Sequence, residues 1–178
     1  MRALRFHHAG PIDPGPTSPP GTPEHPGSAP APAGRLNLLL SCGTWQDDPW
    51  VDRLPRMLEP MGVQALRAQT GREATRVIDR SPVHVAVVDL ALPMHDDPAE
   101  QAGVQLLDLL RRLRQPPPTV VIKRARSARD DRRELAAALR AGAFAVIDRP
   151  HDTTDLERML EILRRIVQRH YQGRWPAT

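Results

Sequence analysis

His84-Val-Ala-Val-Val-Asp89, continued by Leu-Ala-Leu-Pro93, is the most strand-like run in the chain, apolar between its two end residues and rich in valine. Such a run reads as a central parallel strand covered on both faces, because neither face is left polar for solvent. Upstream, Thr70-Gly-Arg-Glu73 is a capping-box pattern opening a helix with Ala74, Val77 and Ile78 on one face. Val63–Ala68 is a weaker strand candidate, and Leu36–Cys42 a short apolar one. Between them Asp48-Pro49 offers an N-cap with proline at the first helical position. Trp50, Val51, Leu54, Leu58 and Met61 follow at helical spacing. Pro55 lies inside that stretch and predicts a later start or a kink.

Downstream, a Pro/Asp-rich loop, Pro93–Ala102, leads into a helix carrying Val104, Leu107, Leu110 and Leu113, which Pro116–Pro118 stops. Thr119–Ile122 is another apolar strand. A helix near Asp130–Ala141 is closed by Gly142, and Ala143–Ile147 is the fifth strand. Thr154-Asp-Leu-Glu157 is a second capping box, before a stripe of Leu156, Met159, Leu160, Leu163, Ile166 and Val167. Strands alternating with helices in this way predict an α/β doubly wound fold: a five-stranded parallel sheet covered on both sides.

The remaining composition sets the domain plan. Residues 1–34 hold nine of the 20 prolines and five of the 11 glycines, with few large hydrophobes. A segment of this kind cannot bury enough apolar surface to offset its ordering entropy, so it reads as a disordered tail. Its PxxP-like spacing is also compatible with a polyproline II ligand. The folded domain is expected over 35–170, with 171–178 as a short extension containing Trp175. One cysteine excludes an internal disulfide framework and a zinc site of several thiolates. No apolar run approaches the ~18 residues of a membrane span, and no secretory signal is evident, so a cytoplasmic protein is expected. Of the 25 cationic side chains all but one are arginine, against 21 carboxylates. Codon bias accounts for most of that excess.

In open parallel sheets, ligand and catalytic groups sit at the carboxyl ends of the strands. Those ends carry Cys42 and Gly43, then Asp89, then Lys123, then Arg149-Pro150. With five βα units, VVDLALP around Asp89 and AGAFAVIDRP ending at Pro150, residues 35–170 resemble the receiver domain of two-component response regulators. The resemblance implies a flavodoxin-like (βα)5 fold. It also implies a role for Asp89 as the acceptor of a phosphoryl group from a histidine kinase. An acidic pair holding Mg²⁺ would stand at Cys42 and Gly43, a Thr or Ser at Lys123 (Arg124 after a one-residue shift), and a lysine at Arg149. Pro150 matches the proline after that lysine and is a candidate for a cis peptide bond.

These substitutions reverse the sign of the site. The matched positions keep one carboxylate, Asp89, and hold two cations, Lys123 and Arg149. Mg²⁺ requires oxygen ligands, usually carboxylates, and a net positive pocket opposes it. The expectation is therefore a remnant acceptor clamped by Lys123 and Arg149, with Mg²⁺-dependent phosphorylation weakened or lost and no cofactor. Mg²⁺ enters only if Asp89 works as an acceptor. Asp47 and Asp48 are the weaker alternative as metal ligands, Asp48 fitting better as an N-cap. Asp96 and Asp97 read as solvated loop charges.

Lys123 is the sole lysine, a choice either informative or accidental at a strand end. Cys42 fits a buried inert thiol better than a redox sensor. Arg124, Arg126 and Arg129, with Arg158 and Arg165, form a candidate interaction face on the fourth and fifth helices. Through it the resemblance implies docking to a histidine kinase, a phosphotransfer protein or a regulatory complex, or homodimerisation. A basic regulator that binds nucleic acid through the same helices is the alternative. Interleaved Asp130, Asp131, Glu134, Glu157 and Glu161 and the scarcity of aromatics speak against it. No nucleotide-binding or hydrolase motif is present, and no output module is expected after the last helix, so the reading is a non-enzymatic, stand-alone signalling module.

Overall fold

The computed structural model describes residues 35–43, 49–95, 100–123 and 127–171. The chain divides into a unit of residues 1–30, all outside the described residues, and a unit of residues 31–178. The tail expected over 1–34, the loop aspartates Asp47, Asp48, Asp96 and Asp97, the arginines Arg124 and Arg126, and residues 172–178 lie outside the described residues.

Five strands and five helices alternate: β1 (Leu36–Ser41), α1 (Pro49–Leu58), β2 (Val63–Ala68), α2 (Gly71–Arg80), β3 (Val85–Asp89), α3 (Gly103–Arg112), β4 (Thr119–Lys123), α4 (Ala128–Arg140), β5 (Ala145–Asp148) and α5 (Thr153–Tyr171). The strands form one sheet in the order β2-β1-β3-β4-β5, every neighbouring pair parallel. This is the predicted doubly wound α/β fold.

Alternation along the strands assigns each side chain to one of two cores. Leu38, Leu40, Val87, Val120 and Ile122 pack with Trp50, Val51 and Leu54 of α1 and Met159, Leu163 and Ile166 of α5. Leu39, Ala86, Val88 and Val121 pack with Ala74 of α2, Leu106, Leu107 and Leu110 of α3, and Ala138 of α4. All five residues of β3 are buried, as its unbroken apolar run required.

Local signals were met with adjustments at element ends: the fifth strand, expected over Ala143–Ile147, runs Ala145–Asp148, and the fourth helix starts at Ala128. Thr70 caps α2 by accepting from the Glu73 N–H at 3.1 Å, and Gly142 follows α4 with φ +82°. By contrast α1 runs through Pro55 without a later start, beginning at Pro49. α5 begins one residue before the expected Thr154. Its start is held by Asp152, which accepts from the Asp155 N–H at 2.8 Å, while Asp155 accepts from the His151 N–H at 3.2 Å. An aspartate outranks a threonine as a cap, so the reciprocal pair forms two residues upstream of the Thr154–Glu157 pattern. α5 also continues through Tyr171, whose hydroxyl donates to the His84 carbonyl.

Candidate functional site

Asp89 ends β3 and is 1% exposed. Its Oδ1 accepts from the Ala91 N–H at 2.8 Å, and its backbone carbonyl accepts from Leu92 at 3.0 Å, so the chain turns tightly around the carboxylate. Gly103, the first residue of α3, makes that turn possible. A Cβ there would lie 2.5 Å from Leu90 Cα and 2.6 Å from the Asp89 carbonyl oxygen, so only glycine lets the helix approach so closely.

Register decides which cation reaches Asp89. Its Cα partner is Ile122, so both side chains project to the α1/α5 face. Lys123 is one residue further along β4 and projects to the opposite face, opposite Asp148 of β5. Arg149, the residue after Asp148, returns to the Asp89 face. The consequence is an ion pair of Arg149 Nη2 with Asp89 Oδ2 at 3.7 Å, the arginine side chain 11% exposed.

Lys123 does not join this pair, so the expected clamp is corrected at Lys123: among the described residues the cation on Asp89 is Arg149. The Lys123 ammonium instead donates to Asp131 of α4 and to Asp148 Oδ1 at 2.6 Å. Hydrogen bonds to Asp131 first and Asp148 second hold the Lys123 pKa above its ordinary value, against the opposing effect of burial. Neither partner was anticipated from sequence. Asp148 was readable by strand parity with Lys123; Asp131 required knowing that α4 starts at Ala128, capped by Ser127, which accepts from the Asp130 N–H at 3.1 Å.

The position matched to the acidic pair is closed. Cys42 is fully buried, as the inert reading required, and its N–H donates to the Ala68 carbonyl at 3.1 Å. At Gly43 any Cβ would overlap Pro93 Cδ. Pro93 is fixed there by the connection after β3. Pro93 bridges to Gln101, and the Pro93 carbonyl accepts from the Gly71 N–H at the start of α2 at 2.8 Å. Among the described residues no group of three or more His, Cys, Asp or Glu side chains could hold a metal ion. Among the described residues the donor set does not fit Mg²⁺: one buried carboxylate, with a guanidinium on one oxygen and a backbone N–H on the other. Among the described residues no peptide bond is cis, so the Arg149–Pro150 bond is trans, correcting the expectation for Pro150.

Of the candidate interaction face, Arg129 lies exposed on α4, while Arg158 and Arg165 lie on α5. Arg158 pairs with Asp155 at 3.2 Å and Arg165 with Glu161 at 3.0 Å, both within the helix. Leu135 and Leu139 on α4 are exposed large hydrophobes.

The model of the response regulator receiver domain matches residues 46–161. The chain belongs to the response-regulator receiver family. No curated protein sequence is a significant match. Among solved structures, this receiver resembles a CheY-like response regulator receiver domain protein from Methanospirillum hungatei, 21% identical, with a TM-score of 0.57 over 78% of this chain and 98% of that one. It also resembles the signal receiver domain of an HD domain-containing protein from Pseudomonas fluorescens, 17% identical, with a TM-score of 0.61 over 78% and 99% of the two chains. The signal receiver domain of a putative LuxO repressor protein from Vibrio parahaemolyticus is 19% identical, with a TM-score of 0.57 over 78% and 98%. At these identities the likeness is one of fold. The family match begins after β1, so Cys42 and Gly43 stand outside the matched segment and Asp47 and Asp48 inside it. Among the described residues no helix is long and apolar enough to cross a membrane. Receivers are in general non-enzymatic modules of two-component signalling that act with kinases or other proteins.

Proposed function

We propose that this receiver works by docking to a protein partner, with Asp89 held in an ion pair and Mg²⁺-dependent phosphorylation weakened or lost. The observation that carries this reading is the Arg149–Asp89 pair beside a Gly43 position that Pro93 closes to side chains. A carboxylate in that pair must shed its guanidinium to attack phosphorus. Among the described residues it also has no cluster of oxygen donors that would bring a divalent ion to the equatorial phosphoryl oxygens. No cofactor is required for such a module, and it catalyses no reaction of its own.

The docking face is built on α4 and α5, where exposed Leu135 and Leu139 lie one helical turn apart and Arg129, Arg158 and Arg165 are exposed. A histidine kinase, a phosphotransfer protein, a regulatory complex or a second copy of the receiver suits that mix of apolar and charged groups. Nucleic acid suits it less well. α4, β5 and α5 carry eight arginines against seven carboxylates, leaving little net charge for phosphates.

The test is intact-mass analysis after incubation with acetyl phosphate and Mg²⁺, with and without chelator. The expected result is an unmodified protein in both arms. Metal-dependent addition of one phosphoryl group, lost in Asp89→Asn, overturns the reading.

A further inference from the structure

Because every strand is parallel and every helix returns against it, strand starts and helix ends collect at the end of the sheet remote from Asp89. α2, α3 and α4 lie side by side on one face, and each finishes on an arginine: Arg80, Arg112 and Arg140. Arg111 in the last turn of α3 and Arg114 just beyond it add two more. Residues 79–84, 108–118 and 139–144, which make this end, hold five arginines against two carboxylates, Asp79 and Asp108. All five arginines are exposed. Among the described residues none of them pairs with a carboxylate. Arg80 borders a cleft with Glu73, whose carboxylate accepts from the Gln69 N–H at 2.8 Å at the other end of α2.

One cation per helix end needs no further account, since the helix macrodipole favours positive charge there. Three arginines around a single end, Arg111, Arg112 and Arg114, go beyond it, and α4 brings a fourth to the same place. Arg111 Nη1 donates to the Arg140 carbonyl at 3.5 Å, and Arg111 Cδ passes 3.8 Å from the position that a Cβ on Gly142 would take. Arg111 is thereby laid across the end of α4, beside a second arginine. Like charges set side by side repel, and a polyanion removes that repulsion. Codon usage accounts for arginine in preference to lysine, not for this placement.

We propose that this end of the sheet binds the phosphate backbone of double-stranded nucleic acid through Arg80, Arg111, Arg112, Arg114 and Arg140, without reading its sequence. Helices packed side by side stand about 10 Å apart, so three helix ends span about 20 Å. At ~3.4 Å per base pair that is the reach of about six base pairs, enough for each arginine to find its own phosphate. Guanidinium forks suit phosphate oxygens, which they can grip bidentately. A duplex is favoured over a single strand because no free ring is offered for base stacking. Phe144, the one Phe, Tyr or Trp in these segments, is half-buried and meets His170 edge-on with centroids 5.7 Å apart. A membrane is disfavoured because Leu139 is the one exposed large hydrophobe in these segments, too little to anchor in lipid. The surface shares no arginine with the face of Arg129, Arg158 and Arg165 and does not depend on the state of Asp89.

The experiment uses the full chain and a fluorescein-labelled DNA duplex of about 20 base pairs, read by anisotropy across a salt series. Saturable binding at low salt is expected, with log K falling against log salt at a slope of about −4, as about five phosphate contacts require. Arg111→Gln/Arg140→Gln should weaken binding about tenfold at low salt and reduce the slope by about 2. Arg112→Gln/Arg114→Gln, which leaves the Arg111 contact with the Arg140 carbonyl in place, should do the same. Arg158→Gln/Arg165→Gln on α5 should change neither affinity nor slope. No saturable binding at low salt, an equal loss in the α5 variant, or an unchanged slope in both variants of the helix ends overturns the proposal. Tighter binding through the same arginines of oligothymidylate, of phosphatidylserine-containing vesicles or of polyglutamate overturns it as well.

Discussion

On the α1/α5 face, Arg149 and Asp89 meet inside the protein, 11% and 1% exposed, whereas on the opposite face Lys123 meets two carboxylates that are 36% and 68% exposed. The two cations stand on neighbouring strands of one sheet end, yet parity sends them to different environments. A buried pair is a liability when one partner goes, because the other is left charged without solvent. A half-exposed carboxylate that loses its lysine simply regains water. The same kind of contact therefore has unequal consequences, and the difference can be measured.

The largest effect is expected at Arg149. Replacing it with methionine keeps the packing volume but takes the guanidinium away from the Asp89 carboxylate, which still accepts from the Ala91 N–H. Destabilisation of about 3 kcal/mol is expected, read as a shift of the urea midpoint at pH 7. In the double variant Arg149→Met/Asp89→Asn most of that loss should return, since the buried charge is gone. A loss below about 1 kcal/mol in the single variant would mean that the pair contributes as a surface one does, and the contrast between faces would disappear.

Lys123→Met comes next, at about 1 kcal/mol, because Asp131 and Asp148 rehydrate. Its pH dependence has a definite sign. The folded-state pKa of Lys123 is raised above 10.5, so the stability it contributes is fully present below that pH and is lost as pH rises through the folded value. The gap between wild type and variant should be constant around neutrality and close in alkali. The variant has a second, local readout. Ala138 is the only residue of α4 described as buried, so the Lys123–Asp131 contact is one of few tethers between that helix and the sheet. Amide exchange in α4 should accelerate in Lys123→Met while α5 is unaffected, and equal acceleration in both helices would show that no such local tether exists.

How much of this was legible in sequence divides along the same line. The five strands, the caps at Thr70 and Gly142 and the place of Asp89 followed from period and turn chemistry, because those signals are local. That Arg149 would meet Asp89 was half-readable: it needed strand parity, which residue spacing contains, and register, which it does not. The Lys123 contacts depended on where α4 begins, a boundary that Ser127 sets and an apolar pattern cannot resolve. The closure of Gly43 by Pro93 was out of reach. It rests on the Pro93–Gln101 bridge and the Gly71 hydrogen bond, two contacts between segments distant from Gly43 in the chain. Asp89 was recognisable as a site residue, while what neighbours do to it became visible only with the connection after β3 in place.

The smallest effect is expected at the other end of the sheet, where a neutral histidine stands in place of an ion pair. His84 Nδ1 accepts from the Asn37 N–H at 2.9 Å, and its ring meets Tyr171 edge-on with centroids 5.9 Å apart. Burial lowers its pKa below 6.5, and protonating Nδ1 would abolish the Asn37 hydrogen bond. A histidine with a depressed folded-state pKa binds protons more readily when unfolded. Its contribution is therefore present above pH 6.5 and is lost as pH falls through that value to the folded one. The urea midpoint of the wild type should decline between about pH 7 and pH 5 more than that of His84→Gln, which has no proton to gain there. Parallel declines would place the acid sensitivity outside His84 and show that its hydrogen bond to the Asn37 N–H is not what acid removes.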